Sequence, residues 1–246
     1  MRWNPFKRPG SSSAGAPLSA GASLSADAEA HFHAGRFEQA RAGFAAAIAE
    51  KQPQLEQRAD DVALSAAIAG DLNNLGLCLG KLARFREAAD VLTGSVTIFQ
   101  ALGPAYAPYA AGTLQSLAGA LGDGGELDRA VTVSREAVET RRGQPADDRP
   151  PAARELELAR TLRMFAHVRA EAGTELDEAQ TALTEAQTLQ LDALNRQPEM
   201  ATINEIYTTE LVQARLLARR GRTEDARRIE GMVRARHLDA MLGMMK

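Results

Sequence analysis

The residues of this chain that could perform chemistry are few, and their spacing does not favour catalysis or metal binding. His31 and His33 are two residues apart on a predicted helix. Their side chains therefore point about 200° apart and cannot share a metal ion. The glycine-rich stretch GDGGE at 122–126 follows no predicted strand and precedes no Gly-Lys-Ser/Thr, which favours a turn over a phosphate-binding loop. We therefore predict no catalytic residue, no metal site, no cofactor and no enzymatic activity.

Cys78 is the only cysteine of the chain, so an internal disulfide cannot form. A single cysteine is typical of a protein that works in a reducing compartment, and we predict a cytoplasmic location. Cys78 falls at a packed position of a predicted helix. This position favours a buried, small apolar side chain over a reactive thiol.

The composition narrows the classes of partner. The 246 residues carry a net charge of −3, and aromatic residues make up only 4%. Neither value favours binding to nucleic acid. No run of about 18 apolar residues occurs, so we expect no transmembrane helix, and the first ten residues lack the apolar core of a secretory signal.

The chain divides into a tail and a helical domain. Residues 1–22 are rich in Gly, Ser, Ala and Pro, a composition that predicts a disordered N-terminal tail. Residues 23–246 show apolar positions with a period of about 3.6 and no alternating run typical of a strand.

The helical domain contains an internal repeat. Five segments, each with a turn followed by an apolar residue, share an alanine at the same place, at intervals of 42 to 49 residues: Ala40, Ala88, Ala130, Ala179 and Ala226. Such a period predicts stacked helix-turn-helix units. We predict an all-α, right-handed α-solenoid of four to five helix pairs, with the last pair a degenerate cap.

Small residues have a physical role in this repeat. Two antiparallel helices approach closely only where side chains are small, and we expect Ala88 to face Gly76 across the second pair. Four glycines at the turns allow the positive φ that ends a helix: Gly35, Gly125, Gly173 and Gly221. Thr174 is predicted to be an extra residue in the fourth turn.

The pattern resembles the tetratricopeptide repeat (TPR) family. The residues that carry the resemblance in the second pair are Leu75, Gly76, Phe85, Ala88 and Leu92. The stretch ALGPAYAPYAAGTLQSLAGAL at 101–121 is similar to the long-helix variety found in kinesin light chains and many bacterial proteins. The resemblance implies a non-enzymatic scaffold that holds a partner protein or peptide in its concave groove. An alternative is a regulatory sensor whose curvature changes when it binds a signalling peptide.

The resemblance also implies candidate contact residues on the first helix of each pair. Asn73 and Asn74 occupy positions where asparagine donates to and accepts from a peptide backbone; the alternative is a solvated or structural pair. Gln115 and Ser116 take these two positions in the third pair, and Arg163 and Met164 take them in the fourth. Gly119 is predicted to lie on the groove side with Ser116, where it makes the wall shallow or lets a helix approach.

Both ends of the chain suggest further contacts. Trp3, Phe6, Lys7 and Arg8 combine aromatic and basic side chains ahead of the linker. They form either a docking segment for a partner or weak peripheral membrane contact, or an unstructured start. Residues 214–246 hold nine Arg or Lys against four acidic residues, which indicates a solvated helix face or a surface for an acidic partner.

Overall fold

The described secondary structure is entirely helical. The computed structural model describes residues 20–144 and 149–244, with side chains described for 21–144 and 149–236. Across these residues it contains ten α-helices and one short 3-10 turn: α1 (Ala20–His33), α2 (Phe37–Gln57), α3 (Val62–Lys81), α4 (Phe85–Ala101), the 3-10 turn (Pro104–Tyr106), α5 (Ala107–Asp123), α6 (Leu127–Arg142), α7 (Pro151–Ala172), α8 (Leu176–Arg196), α9 (Met200–Arg219) and α10 (Thr223–Met244). The predicted all-α fold is confirmed, and most of the predicted tail lies outside the described residues.

Consecutive helices pack against each other in pairs, and the pairs form two compact units. The first unit contains α1 to α6, and the second contains α7 to α10. In the first unit each helix contacts the next one along the chain, and α3 also contacts α5. In the second unit α8 and α7 both contact α9. Within each unit this order confirms the predicted stacking of helix-turn-helix pairs.

The turn inside every pair has three residues, and its backbone explains the glycines. The middle residue has a positive φ at Gly35 (72°), Gly125 (82°) and Gly221 (78°). Ala83 takes the same place in the second pair with φ 57°. Because a Cβ atom disfavours this left-handed conformation, glycine is the usual residue there.

The fourth turn contains the predicted extra residue at Thr174. In the first three pairs the N-cap of the second helix directly follows the positive-φ residue, whereas Thr174 separates Gly173 from the N-cap Glu175. Helix α7 ends at Ala172 and α8 begins at Leu176, which leaves three residues, as in the other turns. Positive φ falls on the first and third residues, Gly173 (71°) and Glu175 (49°), instead of on the middle one. The Thr174 N–H donates to the Arg169 carbonyl, as the Arg84 N–H after Ala83 donates to the Leu79 carbonyl. Gly173 is therefore the counterpart of Ala83, and α7 continues one residue closer to it than α3 does.

The aligned alanines lie in the core, as the repeat predicts. Ala40, Ala88, Ala130 and Ala179 are 0% exposed, and Ala226 is 3% exposed. The nearest neighbour of Gly76 is Leu92, and the contact predicted between Gly76 and Ala88 stays a prediction. A Cβ atom added to Gly76 would lie 2.5 Å from Leu92 Cγ, so Gly76 lets Leu92 on α4 approach α3 closely.

Candidate partner-binding surface

Helix α3 carries the asparagine pair, and its start is fixed by a side-chain cap. Asp61 precedes the helix in an extended conformation and accepts a hydrogen bond of 2.9 Å from the backbone N–H of Leu64. This cap satisfies an amide that would otherwise lack a partner at the helix start. The glycine contact between Gly76 and Leu92 then holds α3 close to α4.

The structure buries both asparagines. Asn73 is 9% exposed and Asn74 is 3% exposed. Asn73 Nδ2 donates to Asn74 Oδ1 over 3.3 Å. Ala69 and Gly76 both contact α4, and Asn73 lies one helical turn from each of them. Asn74 instead lies one helical turn after Gly70.

The asparagine pair has unused hydrogen-bonding capacity. Asn73 Oδ1 is buried without a hydrogen-bond partner among the described residues. Within the same part of the chain, nothing accepts a hydrogen bond from Asn74 Nδ2, although Asn74 Oδ1 is occupied. One free acceptor and one free donor are the groups that a peptide unit pairs with.

The connection before α5 is shaped by aromatic side chains that the repeat pattern did not single out. Gly103 has φ 89°, and the 3-10 turn at Pro104–Tyr106 follows it. The rings of Phe99 and Tyr109 stack with centroids 5.6 Å apart, and Tyr106 lies 6.2 Å from Phe99. This cluster joins the end of α4 to the start of α5 and thereby sets where the α5 residues lie.

Helix α5 presents the three other predicted contact residues along one side. Gln115, Ser116 and Gly119 are all half-buried. Ser116 Oγ donates to the backbone carbonyl of Gly112 over 3.1 Å. Gly112, Ser116 and Gly119 are spaced by four and three residues, so these three small residues line the same side of the helix.

The predicted residues thus come from two helices that contact each other directly. We call Gly70, Asn74, Gln115, Ser116 and Gly119 the α3–α5 surface. Gly70 is half-buried, and a Cβ atom added to it would meet no atom within 4 Å. The predicted docking residues Trp3, Phe6, Lys7 and Arg8 lie outside the described residues.

The groups considered for catalysis have structural surroundings. Cys78 is 0% exposed and packs with Ala28, Ala40 and Phe44. Burial raises the pKa of its thiol to about 12, so the nucleophilic thiolate is not formed near neutral pH. Among the described residues, no three His, Cys, Asp or Glu side chains are placed to hold a metal ion.

Comparison with solved structures shows the fold. A variant of a kinesin light chain from Podosopora anserina with nearly identical TPR-like repeats has a TM-score of 0.64 and 16% identity, covering 89% of this chain and 95% of that one. BtubC (BKLC) from P. vanneervenii also has a TM-score of 0.64, with 19% identity and coverage of 89% and 80%. No family model and no curated protein matches the sequence. The chain has the TPR-like helical-repeat fold.

The TPR-like stacking also explains why α3 is apolar. Of the described helices, only α3 is long and apolar enough to cross a membrane by length and composition. It contacts α2, α4 and α5 and carries the buried polar residues Asp71, Asn73 and Asn74. These features are those of a core helix in a TPR-like stack.

A buried polar network in the first TPR-like pairs was missed by sequence reasoning. Lys51 (3% exposed) pairs with Asp71 (1% exposed), and Lys51 Nζ donates to Ser25 Oγ over 2.8 Å. Ser25 Oγ lies 3.0 Å from Asp71 Oδ2. The network joins α1, α2 and α3. The only signal in the sequence was the presence of charged residues at positions where the helical period expects apolar ones.

Proposed function

We propose that the chain is a non-enzymatic cytoplasmic scaffold that binds an extended peptide segment of a partner protein on the α3–α5 surface. The observation that carries the proposal is the asparagine pair. Asn73 Nδ2 donates to Asn74 Oδ1, which leaves Asn74 Nδ2 as a donor on this surface that no described residue uses. A peptide carbonyl that accepts from this amide would add a hydrogen bond worth about 0.5–1.5 kcal/mol.

The wall formed by α5 supports the same proposal. Glycine costs about 1 kcal/mol in a helix interior, so Gly112 and Gly119 make α5 less stable than alanine would. Because the side formed by Gly112, Ser116 and Gly119 is half-buried and lacks long side chains, a peptide backbone could approach the helix closely. Gln115 adds a side-chain amide beside it.

Blocking the surface at Gly70 tests the proposal. A library of peptides from the host proteome would be selected against the purified full-length protein, the Gly70→Leu variant and the Gly231→Leu variant. Gly231 is also a helical glycine whose added Cβ meets no atom within 4 Å, but it lies on α10, so it is a matched control. We expect wild type and Gly231→Leu to enrich the same peptides and Gly70→Leu to lose them. Equal enrichment by all three proteins would contradict the proposal.

The alternative function, a peptide sensor, places the ligand on the same surface and adds a change in helix packing. Near-ultraviolet circular dichroism distinguishes the two, because the side chains of Tyr106 and Tyr109 lie at the α4–α5 connection. A scaffold would bind a selected peptide with little change in the tyrosine signal. A sensor would change it in step with binding.

We further propose that Trp3 and Phe6, flanked by Lys7 and Arg8, dock onto a partner or a membrane surface. Apolar rings next to basic charge suit an acidic groove or anionic lipid. Since α1 begins at Ala20, the deletion that tests this removes residues 1–19 only. We expect it to abolish one copurifying partner or the cellular distribution, as should the double substitution Trp3→Ala/Phe6→Ala. Unchanged partners and distribution in both variants would contradict docking.

A further inference from the structure

Helices α7 and α9 of the second unit share a cluster of two arginines on one carboxylate. Arg160 Nε and Arg163 Nη2, both on α7, each lie 2.9 Å from a different oxygen of Glu205 on α9. The side chains of Arg160, Arg163 and Glu205 are 14%, 21% and 22% exposed. The cluster is thus partly shielded from water, which strengthens its electrostatic interactions.

A second cluster repeats this arrangement further along the same two helices. Arg215 Nη1 and Arg219 Nη2 on α9 lie 3.2 Å and 3.4 Å from the two oxygens of Glu171 on α7. Arg215 Nη1 also lies 2.8 Å from His167 Nδ1. We call the two clusters together the α7–α9 surface.

Both clusters have more positive than negative charge. Arginine keeps its charge at every physiological pH, so two guanidinium groups on one carboxylate leave an excess of about one positive charge in each cluster. Several other arginines in 149–236 each form an ion pair with a different carboxylate: Arg196 with Glu155, Arg220 with Asp177, Arg222 with Asp225 and Arg236 with Glu210.

Arg163 shows the consequence of this excess most clearly. Burial lowers the pKa of its guanidinium; Glu205 opposes that shift, and the positive charge of Arg160 adds to it. Arg163 Nε is buried and has no hydrogen-bond partner among the described residues. An additional anion would therefore stabilise this cluster.

The repeat register places Arg163 where the second helix pair has Asn73, and Met164 where it has Asn74. The position that offers a neutral amide on α3 therefore offers a guanidinium on α7. We infer that the α7–α9 surface binds an extended acidic segment of a partner protein, with one carboxylate at each arginine cluster.

The spacing of the clusters specifies the segment. From Arg163 to Glu171 along α7 the helix rises about 12 Å, and from Glu205 to Arg215 along α9 it rises about 15 Å. An extended peptide advances about 3.3 Å per residue, so side chains four residues apart lie about 13 Å apart on the same side. The segment that fits has acidic residues at positions i and i+4 of an extended peptide.

The test uses a synthetic peptide of Gly and Ser with two glutamates four residues apart, attached to an uncharged dye, and the full-length protein at low salt. Fluorescence anisotropy would measure its affinity for wild type and three variants. Arg215→Gln removes one donor and should weaken binding about three- to ten-fold. Glu171→Gln raises the positive charge of the same cluster and should tighten binding by a similar factor.

The third variant, Arg222→Gln, controls for net charge. It changes the charge of the protein by as much as Arg215→Gln, but Arg222 pairs locally with Asp225 at the start of α10, so we expect affinity within about two-fold of wild type. Two matched peptides serve as further controls. One carries glutamine in place of both glutamates, and the other carries the two glutamates at neighbouring positions. Both should bind more weakly than the parent peptide. Higher salt should weaken binding of the parent peptide.

Three results would overturn the inference: no binding of the parent peptide at millimolar concentration, equal binding of the glutamine peptide, or weaker binding by Glu171→Gln as well as Arg215→Gln. The last result would mean that the clusters only hold α7 and α9 together. The experiment is independent of the α3–α5 surface, since Gly70→Leu should leave the affinity for the acidic peptide unchanged.

Discussion

Two glycines of α3 have opposite surroundings, although they are only six residues apart. A Cβ atom at Gly76 would lie 2.5 Å from Leu92 Cγ, whereas one at Gly70 would meet nothing within 4 Å. We expect Gly76→Ala to destabilise the protein by about 1–3 kcal/mol through overpacking. Gly70→Ala should stabilise it by about 0.5–1 kcal/mol, because alanine is the better helix former. Urea unfolding measures both, and changes of the same sign would contradict the packing described for α3.

The pair of Lys51 and Asp71 permits a second prediction at the scale of single residues. Removing one partner from a buried ion pair leaves an isolated charge, so Lys51→Met should cost about 3–5 kcal/mol. The double variant Lys51→Met/Asp71→Leu replaces the pair by apolar side chains and should recover much of that loss. A double-mutant cycle by chemical denaturation checks this. Additive effects of the two single substitutions would show that the pair contributes no coupling.

At the scale of helices and turns, the conformation of the turn predicts which residue it prefers. Ala83 has φ 57° at a place where three other turns have glycine. Ala83→Gly should therefore stabilise the protein by about 0.5–1 kcal/mol, and Gly125→Ala should destabilise it by about 1–2 kcal/mol. Thermal unfolding of the two variants would show melting temperatures that move in opposite directions. A lower melting temperature for Ala83→Gly would contradict the strain assigned to this turn.

The turns and the aligned alanines were predictable because they follow local rules. Positive φ at Gly35 and burial of Ala40 depend on one turn and the helix that follows it. The close approach of Leu92 to Gly76 was not predicted, because it depends on how two helices rotate as they pack. The same holds for the burial of Asn74, which lies on a face that the sequence suggested would be open.

The candidate surfaces illustrate the same limit. The register of the repeat placed Asn73 and Arg163 at equivalent positions, but it could not show that Arg163 shares a carboxylate with Arg160. Their common partner, Glu205, is more than forty residues away along the chain and comes next to them only when α9 packs on α7. The network of Ser25, Lys51 and Asp71 likewise joins three helices. Contacts of this kind require the fold to be known.

For the whole molecule, the central claim is that a peptide bound to this TPR-like scaffold contacts the side-chain amides of α3 and α5. The most direct measurement is a titration of a selected peptide followed through side-chain amide resonances in two-dimensional NMR spectra of the full-length protein. Gln54 on α2 is a reference amide that is not part of the α3–α5 surface. We predict that the Asn74 and Gln115 resonances shift with increasing peptide, while that of Gln54 stays in place. Unshifted Asn74 and Gln115 resonances in a saturated complex would contradict the claim.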